Sequence, residues 1–227
     1  MFRSITTMVW VTFILFTLAG CKTTGEQATE HQLESVKQLR TSLDTSSKQI
    51  NATVGALEQL TATSTGDLKP VYQKFKTELA KLDADAATTR SRTQAMKERA
   101  QEHLKLWEDE MRSGMTNPEL RKISDEQRSK AKERFLELHA TTEAGRDAYQ
   151  KLSSDLHQIQ RALDINLNPS GVASLKPVVD STKADAKVVQ SSITEIVAKL
   201  DKVTDELSSA RGAPAPASGP AAPSTSP

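Results

Sequence analysis

The sequence predicts an all-α protein, either an elongated antiparallel four-helix bundle or two stacked long helical hairpins. Apolar residues recur at alternating steps of three and four from about residue 29 to residue 209, the spacing of one helix face. Proline, glycine and asparagine cluster at only three breaks in this pattern, and four long helices with short connections favour antiparallel neighbours. Aromatic residues make up 4% of the chain, which indicates a thin core.

The first predicted element is an export signal at residues 1–20. Arg3 precedes an apolar run that ends in Leu18-Ala19-Gly20-Cys21. The run is shorter than the roughly 20 residues of a permanent membrane-spanning helix, so removal of residues 1–20 is expected. Leu18, Ala19, Gly20 and Cys21 resemble the lipobox of bacterial lipoproteins. The resemblance implies a processing signal before Cys21, diacylglycerol on its thiol, cleavage after Gly20 and a fatty acid on the new amino terminus.

The residues after the signal favour a membrane-held protein without a basic surface. Residues 21–28 are polar and lack an apolar period, which predicts a short lipidated tether. The chain has 30 basic and 29 acidic residues, and Arg3 lies in the segment to be removed, so the remaining charges balance. The acyl chains are therefore expected to hold the protein to the bacterial cell envelope, with no nucleic acid as partner. Lys22, where an aspartate would favour the inner membrane, favours the outer membrane, facing the periplasm.

The first two helices are predicted over residues 29–62 and 68–112. Asp67 is placed to cap the second helix, and Pro70 is tolerated in its first turn. At 1.5 Å per residue the second helix is roughly 65 Å long, which predicts a rod rather than a globule. The stripe of the first helix consists of Val36, Leu39, Leu43, Ser46, Ile50, Thr53, Leu57 and Leu60. The stripe of the second runs from Leu68 to Trp107 and includes Ala86, Thr89, Thr93 and His103.

The third and fourth helices are predicted over residues 118–165 and 172–209. Thr116 and Glu119 have the spacing of a capping box at the start of the third helix. A fourth helix that began near Pro169 would instead contain Pro177 and be kinked there. Residues 210–227 are mostly Ala, Pro, Ser, Gly and Thr, which predicts a disordered tail reaching beyond the bundle.

Three segments carry a family resemblance: Trp107-Glu108-Asp109-Glu110, the basic amphipathic stretch from Arg121 to Arg134, and Leu163 with Asn166-Leu167-Asn168 ahead of Ala173-Ser174-Leu175. They resemble an uncharacterised bacterial family of helical coiled-coil lipoproteins that carries a domain-of-unknown-function label. The resemblance covers most of residues 30–208 and leaves out the tail from Gly212. It implies a coiled-coil-rich envelope protein and transfers no activity.

The sequence contains no catalytic or metal-binding motif, so neither an enzyme nor a cofactor is expected. None of its four histidines has a glutamate three residues earlier, as a di-iron bundle requires. Trp107, Glu108 and Glu110 are the candidate partner-contact residues, because tryptophan is enriched in binding hot spots. The interpretation that the sequence favours, however, is that Trp107, which lies on the apolar stripe, fills the end of the bundle.

Together these features favour a non-enzymatic, lipid-anchored helical spacer or adaptor that acts through protein–protein contacts. Its partners would be the membrane, through the acyl chains, and envelope proteins or a second copy of the chain. Small and polar stripe residues should leave the helix seams under-filled and open to docking: Ser46, Thr53, Thr89, Thr93, Thr142 and Gly145. The alternatives are a membrane-active α-helical effector and a metal- or ligand-binding helical bundle.

Overall fold

A computed structural model describes residues 24–63 and 66–212 of the chain. These residues form five helices: α1 (Thr24–Ala62), α2 (Lys69–Gly114), α3 (Pro118–Ile165), α4 (Pro169–Ser174) and α5 (Lys176–Gly212). The described ranges contain no strand, and the predicted all-α class is confirmed. The signal predicted at residues 1–20 and the lipid site at Cys21 lie outside these ranges.

The four long helices form one antiparallel bundle rather than two separate hairpins. α1 packs against both α2 and α5, and α3 packs against α5. Ion pairs show the antiparallel direction of α1 and α5: Arg40 Nε lies 2.7 Å from the carboxylate of Asp201, and Lys183 Nζ lies 2.5 Å from that of Glu58. With 48 residues, α3 gives the bundle a length of about 70 Å.

The first two helices begin where local chemistry favours a start. α1 begins at Thr24, so residues 24–28 of the predicted tether are helical instead. Glutamate, glutamine and alanine in this stretch are good helix formers, and extending an existing helix costs little. At α2, the backbone N–H of Lys69 donates to the carboxylate of Asp67 at 2.9 Å, as the position of this aspartate predicts.

The start of α3 differs in detail from the sequence prediction. The side-chain oxygen of Asn117 accepts hydrogen bonds from the backbone N–H groups of Glu119 at 2.9 Å and Leu120 at 3.3 Å. Because the helix begins at Pro118, Asn117 is the capping residue. The capping box expected from Thr116 is therefore corrected to an asparagine cap.

The predicted fourth helix over 172–209 is divided in the structure. The side-chain oxygen of Asn168 accepts from the backbone N–H of Gly171 at 2.8 Å and starts the short α4 at Pro169. α5 begins after Leu175, because Pro177 lacks the N–H that a continuous helix would need there. The alternative prediction of a start near Pro169 is confirmed, but the structure contains two helices there and not one helix kinked at Pro177.

Both described ends of the chain lie at one end of the bundle, beside the turn between α2 and α3. α5 runs to Gly212, so the first three residues of the predicted tail are helical. Since α1 and α5 are antiparallel, Gly212 lies at the same end as Thr24. The tail predicted to reach beyond the bundle therefore begins at the end of the bundle that carries Thr24.

The core is tight near the α1–α2 turn and loose toward the α2–α3 turn. All eight predicted stripe residues of α1 are buried. Phe75 and Leu82 in α2 are also buried, whereas Thr89, Thr93 and Thr142 farther along are only half-buried. Short polar side chains fill less of the space between helices than leucine does. In the described part of the chain, no helix is both long and apolar enough to cross a bilayer.

Candidate contact site at the α2–α3 end of the bundle

Near the end of α2, Trp107 contacts α3 directly and is linked to α1 through His103. Its indole Nε1–H donates to the hydroxyl of Ser124 in α3 at 2.8 Å. Its ring meets the imidazole of His103 edge to face, with the ring centroids 5.9 Å apart. His103 Nε2 in turn lies 3.1 Å from the hydroxyl oxygen of Thr29 in α1. Trp107 is half-buried, so it packs the bundle end and also contributes to the surface.

The imidazole of His103 is half-buried beside the cavity-lining residues of α2. Burial lowers its pKa below the ordinary value of 6.5, and the negative charge of Glu110 partly opposes this effect. Desolvation disfavours the charged imidazolium because water can no longer solvate it. His103 is therefore neutral near pH 7 and joins α1 to α2 as a hydrogen-bonded residue at the edge of the core.

The two glutamates predicted beside Trp107 have different surroundings. The carboxylate of Glu108 accepts from Arg128 Nη1 at 2.9 Å and also pairs with Arg112. Glu110 is exposed and borders a cavity together with Trp107. Residues two apart on a helix point in different directions, which explains the separation. The structure thus brings Trp107 and Glu110 to one surface and leaves Glu108 in a surface ion-pair cluster.

A cavity of about 390 Å³ lies between the four long helices at this end. Its size is within the range of small-molecule sites. The ion pair between Arg134 and Glu206 lies beside it, and the buried Gln32 contributes a side-chain oxygen with no hydrogen-bond partner among the described residues. Most of its lining is apolar, with side chains that include Met96, Ala100, Leu104, Phe135, Leu138, Val203 and Leu207.

Several residues around this cavity were not predicted as site residues. Thr29 and Gln32 line it from α1, where the predicted stripe began only at Val36. Continuing the same stripe backward by steps of four and three reaches Gln32 and then Thr29. The missed signal was therefore helical spacing that continues through polar residues.

A second cavity, of about 370 Å³, lies midway along the bundle. Five of the six stripe residues expected to leave a seam under-filled border it: Ser46, Thr89, Thr93, Thr142 and Gly145. The hydroxyls of Ser46 and Thr89 share a hydrogen bond of 2.9 Å across it. Thr53 is different, because it is buried and donates to the backbone carbonyls of Gln49 and Glu78.

Three of the histidines, His103, His139 and His157, make pairwise contacts. His139 Nε2 lies 3.1 Å from Lys97 Nζ, and His157 Nε2 lies 3.2 Å from the carboxylate of Asp83. Across residues 24–63 and 66–212, no three His, Cys, Asp or Glu side chains come together in a way that could hold a metal ion.

Comparison with known proteins places the chain in a family. No curated protein and no solved structure matches it. A family model described as protein of unknown function (DUF2959) matches residues 19–207. The match begins two residues before Cys21 and ends before the Pro- and Ala-rich tail, so it spans all of the long helices except the last residues of α5. The resemblance to an uncharacterised family is thereby confirmed: the chain belongs to the DUF2959 family of proteins of unknown function.

Proposed function

We propose that this protein is a non-enzymatic, lipid-anchored helical spacer or adaptor of the bacterial cell envelope, acting through protein–protein contacts. The observation that carries the proposal is the run Leu18-Ala19-Gly20-Cys21, placed three residues before the start of α1 at Thr24. One fatty chain holds a protein only marginally, whereas several chains on one residue hold it firmly. Lys22 after the cysteine favours the outer membrane, facing the periplasm.

The contacts would be made near the anchor rather than at the far end of the rod. Trp107 and Glu110 lie at the end where α1 begins, because Thr29 contacts His103 one turn away from the tryptophan. A partly exposed tryptophan beside an apolar cavity is typical of a binding hot spot. The expected partner is therefore a membrane-proximal envelope protein or a second anchored copy of the chain.

Site-specific crosslinking in cells tests this proposal. A photoreactive amino acid replaces Glu110, at the rim of the cavity. As a matched control, the same amino acid replaces Asp180, an exposed acidic residue on α5 near the opposite end. We expect a crosslinked envelope protein or dimer from position 110 and much less from position 180. An uncrosslinked monomer at both positions contradicts the adaptor function.

The anchor is tested in parallel by Cys21→Ala. We expect this variant to lose membrane association and the crosslinks from position 110. Mass spectrometry of the native protein should show residues 1–20 removed and acyl chains on Cys21. A retained signal segment with an unmodified thiol contradicts the lipid anchor. Release of vesicle contents by the purified protein would favour the membrane-active alternative instead.

A further inference from the structure

The turn between α2 and α3 projects beyond the ends of the other two long helices. The contact between Thr29 and His103 puts these residues at one level, so Thr24 is level with residue 108 of the antiparallel α2. α2 continues for six more residues to Gly114, about 9 Å past Thr24. We call residues 111–123 the hairpin tip: the last turn of α2, the connection, and the first turns of α3.

α5 also ends short of the hairpin tip. The ion pair between Arg134 and Glu206 puts Gly212 level with residue 128 of α3. α3 begins ten residues earlier, at Pro118, about 15 Å past the end of α5. The hairpin tip is therefore the outermost described part of the bundle at the end where the chain enters and leaves.

Chain length limits how far the predicted lipid site can lie from this tip. Cys21 is three residues before Thr24, and a chain spans at most about 3.6 Å per residue. Its Cα is therefore within about 11 Å of that of Thr24, nearly the distance by which α2 overhangs α1. Acyl chains on Cys21 would enter the bilayer directly, so this chain length allows the bilayer surface to contact the hairpin tip.

The side chains of the tip suit a membrane surface. Leu120 is 53% exposed and Ile123 is 56% exposed, and their spacing of three puts them on one face of α3. Arg121 and Lys122 are exposed between them. Across residues 111–123 there are three cationic side chains and one anionic one, Glu119. Arg112 pairs with Glu108, so Arg121 and Lys122 supply the positive charge beside Leu120 and Ile123. Apolar residues flanked by cations are typical of segments that lie in the interface of anionic membranes.

We propose that the hairpin tip rests on the same bilayer that holds the acyl chains of Cys21, with Leu120 and Ile123 inserted at the boundary between headgroups and acyl chains. This inference rests on the proposed lipid anchor. Two attachment points, the lipidated residue and the tip, hold the bundle at a fixed orientation. The α1–α2 turn and α4 then face away from the membrane.

Fluorescence in vesicles tests the contact. The acylated protein that begins at Cys21 is inserted into vesicles of phosphatidylethanolamine and phosphatidylglycerol. An environment-sensitive nitrobenzoxadiazole group is attached at Ile123→Cys, since acylation leaves the thiol of Cys21 unreactive. The matched control is Ile165→Cys, because Ile165 is 87% exposed at the far end of the same helix. Lipids with a nitroxide on the acyl chain should reduce the emission at position 123 about twofold and leave position 165 nearly unchanged.

Flotation of the vesicles separates the two proposals. If the protein floats with the vesicles but position 123 is quenched no more than position 165, the tip contact is wrong and the anchor stands. If the protein does not float, both proposals fail. In the Ile123→Cys protein, Leu120→Asp should reverse most of the quenching while flotation and the helical circular dichroism signal persist. The emission maximum of the probe at position 123 should also shift to the blue when vesicles are added. A blue shift that is equally large without vesicles would show a protein contact instead and overturn the proposal.

Discussion

Gly145→Ala tests whether the mid-bundle cavity gives neighbouring side chains room to move. Alanine is favoured over glycine inside a helix by about 1 kcal/mol. A Cβ at position 145 would lie 3.0 Å from Ile196 Cδ1 and 3.6 Å from Ser192 Cβ. The closer atom is the end of a flexible side chain, and both Gly145 and Ile196 border the cavity of about 370 Å³. We therefore expect the methyl to shift and the free energy of unfolding to rise by about 0.5 kcal/mol.

Two other glycines set the upper and lower limits of the change in the free energy of unfolding that a glycine-to-alanine substitution should cause in this protein. At Gly55 in α1, an added Cβ would meet no atom within 4 Å, so Gly55→Ala should give the whole gain of about 1 kcal/mol. At Gly171 in α4, the Cβ would lie 2.5 Å from the backbone oxygen of Asn166. That oxygen also accepts from the backbone N–H of Asn168 at 3.1 Å and cannot move freely. Gly171→Ala should therefore lower the free energy of unfolding by about 1 to 3 kcal/mol.

Urea unfolding of the full chain, followed by far-ultraviolet circular dichroism, measures all three variants. In thermal unfolding of the same variants, a change of 1 kcal/mol in the free energy of unfolding corresponds to a change of about 2 to 4 °C in the melting temperature for a helical domain of this size. The expected order of stability is Gly55→Ala, Gly145→Ala, the unchanged protein and Gly171→Ala. If Gly145→Ala is less stable than the unchanged protein, the cavity does not accommodate the displaced methyl of Ile196 and the reasoning is refuted.

Three further predictions concern polar contacts in the bundle. Burial lowers the pKa of His103, so the unfolded chain takes up a proton at a higher pH than the folded chain, and stability should fall as the pH decreases below about 6.5. His103→Gln should reduce this fall, measured as the difference in the free energy of unfolding by urea between about pH 7.5 and about pH 5.5. An equal difference in the variant and the unchanged protein would contradict the prediction. The Tyr72 hydroxyl donates to the carboxylate of Asp164 at 2.6 Å and, with Lys76, lowers the pKa of that carboxyl. The ionised carboxylate therefore stabilises the fold at pH values above its ordinary pKa, and this stabilisation is lost as the pH falls through the lowered pKa. Tyr72→Phe should raise the pKa of Asp164 in a carbon-detected NMR titration, and no change would exclude the hydrogen bond. Trp107→Phe and Ser124→Ala should each cost about 1 kcal/mol and together little more than one of them, whereas additive losses would show that the two side chains do not interact.

Helical spacing predicted the core of α1 well and that of α2 and α3 less well. Val36, Leu57 and the other six stripe residues of α1 are buried because this helix packs against both α2 and α5. The same spacing in α2 leaves Thr89 and Thr93 half-buried. Periodicity shows which residues share a face, but the side chains opposite that face decide how completely it is covered.

The candidate contact residues show the same limit. Trp107, Glu108 and Glu110 stand out as a short acidic run beside a tryptophan, and their positions near the end of a helix follow from the sequence. The partners of these side chains do not follow from the sequence. Ser124 and Arg128 reach the first two from α3, whereas Glu110 remains exposed beside the cavity. Which carboxylate is paired depends on the rotation of α2 against α3, and no local pattern records that rotation.

The sequence by itself determined the all-α class, the approximate bounds of the long helices and the family resemblance, because these depend on residues within a few positions of one another. Proline and asparagine at residues 117–118 and 168–169, for example, start helices through backbone chemistry alone. Only the tertiary structure decided how far the α2–α3 turn extends past Thr24 and Gly212, and that Gln32 and Trp107 border one cavity. These arrangements depend on contacts between residues far apart in the chain, such as Thr29 with His103, and so on how whole helices pack.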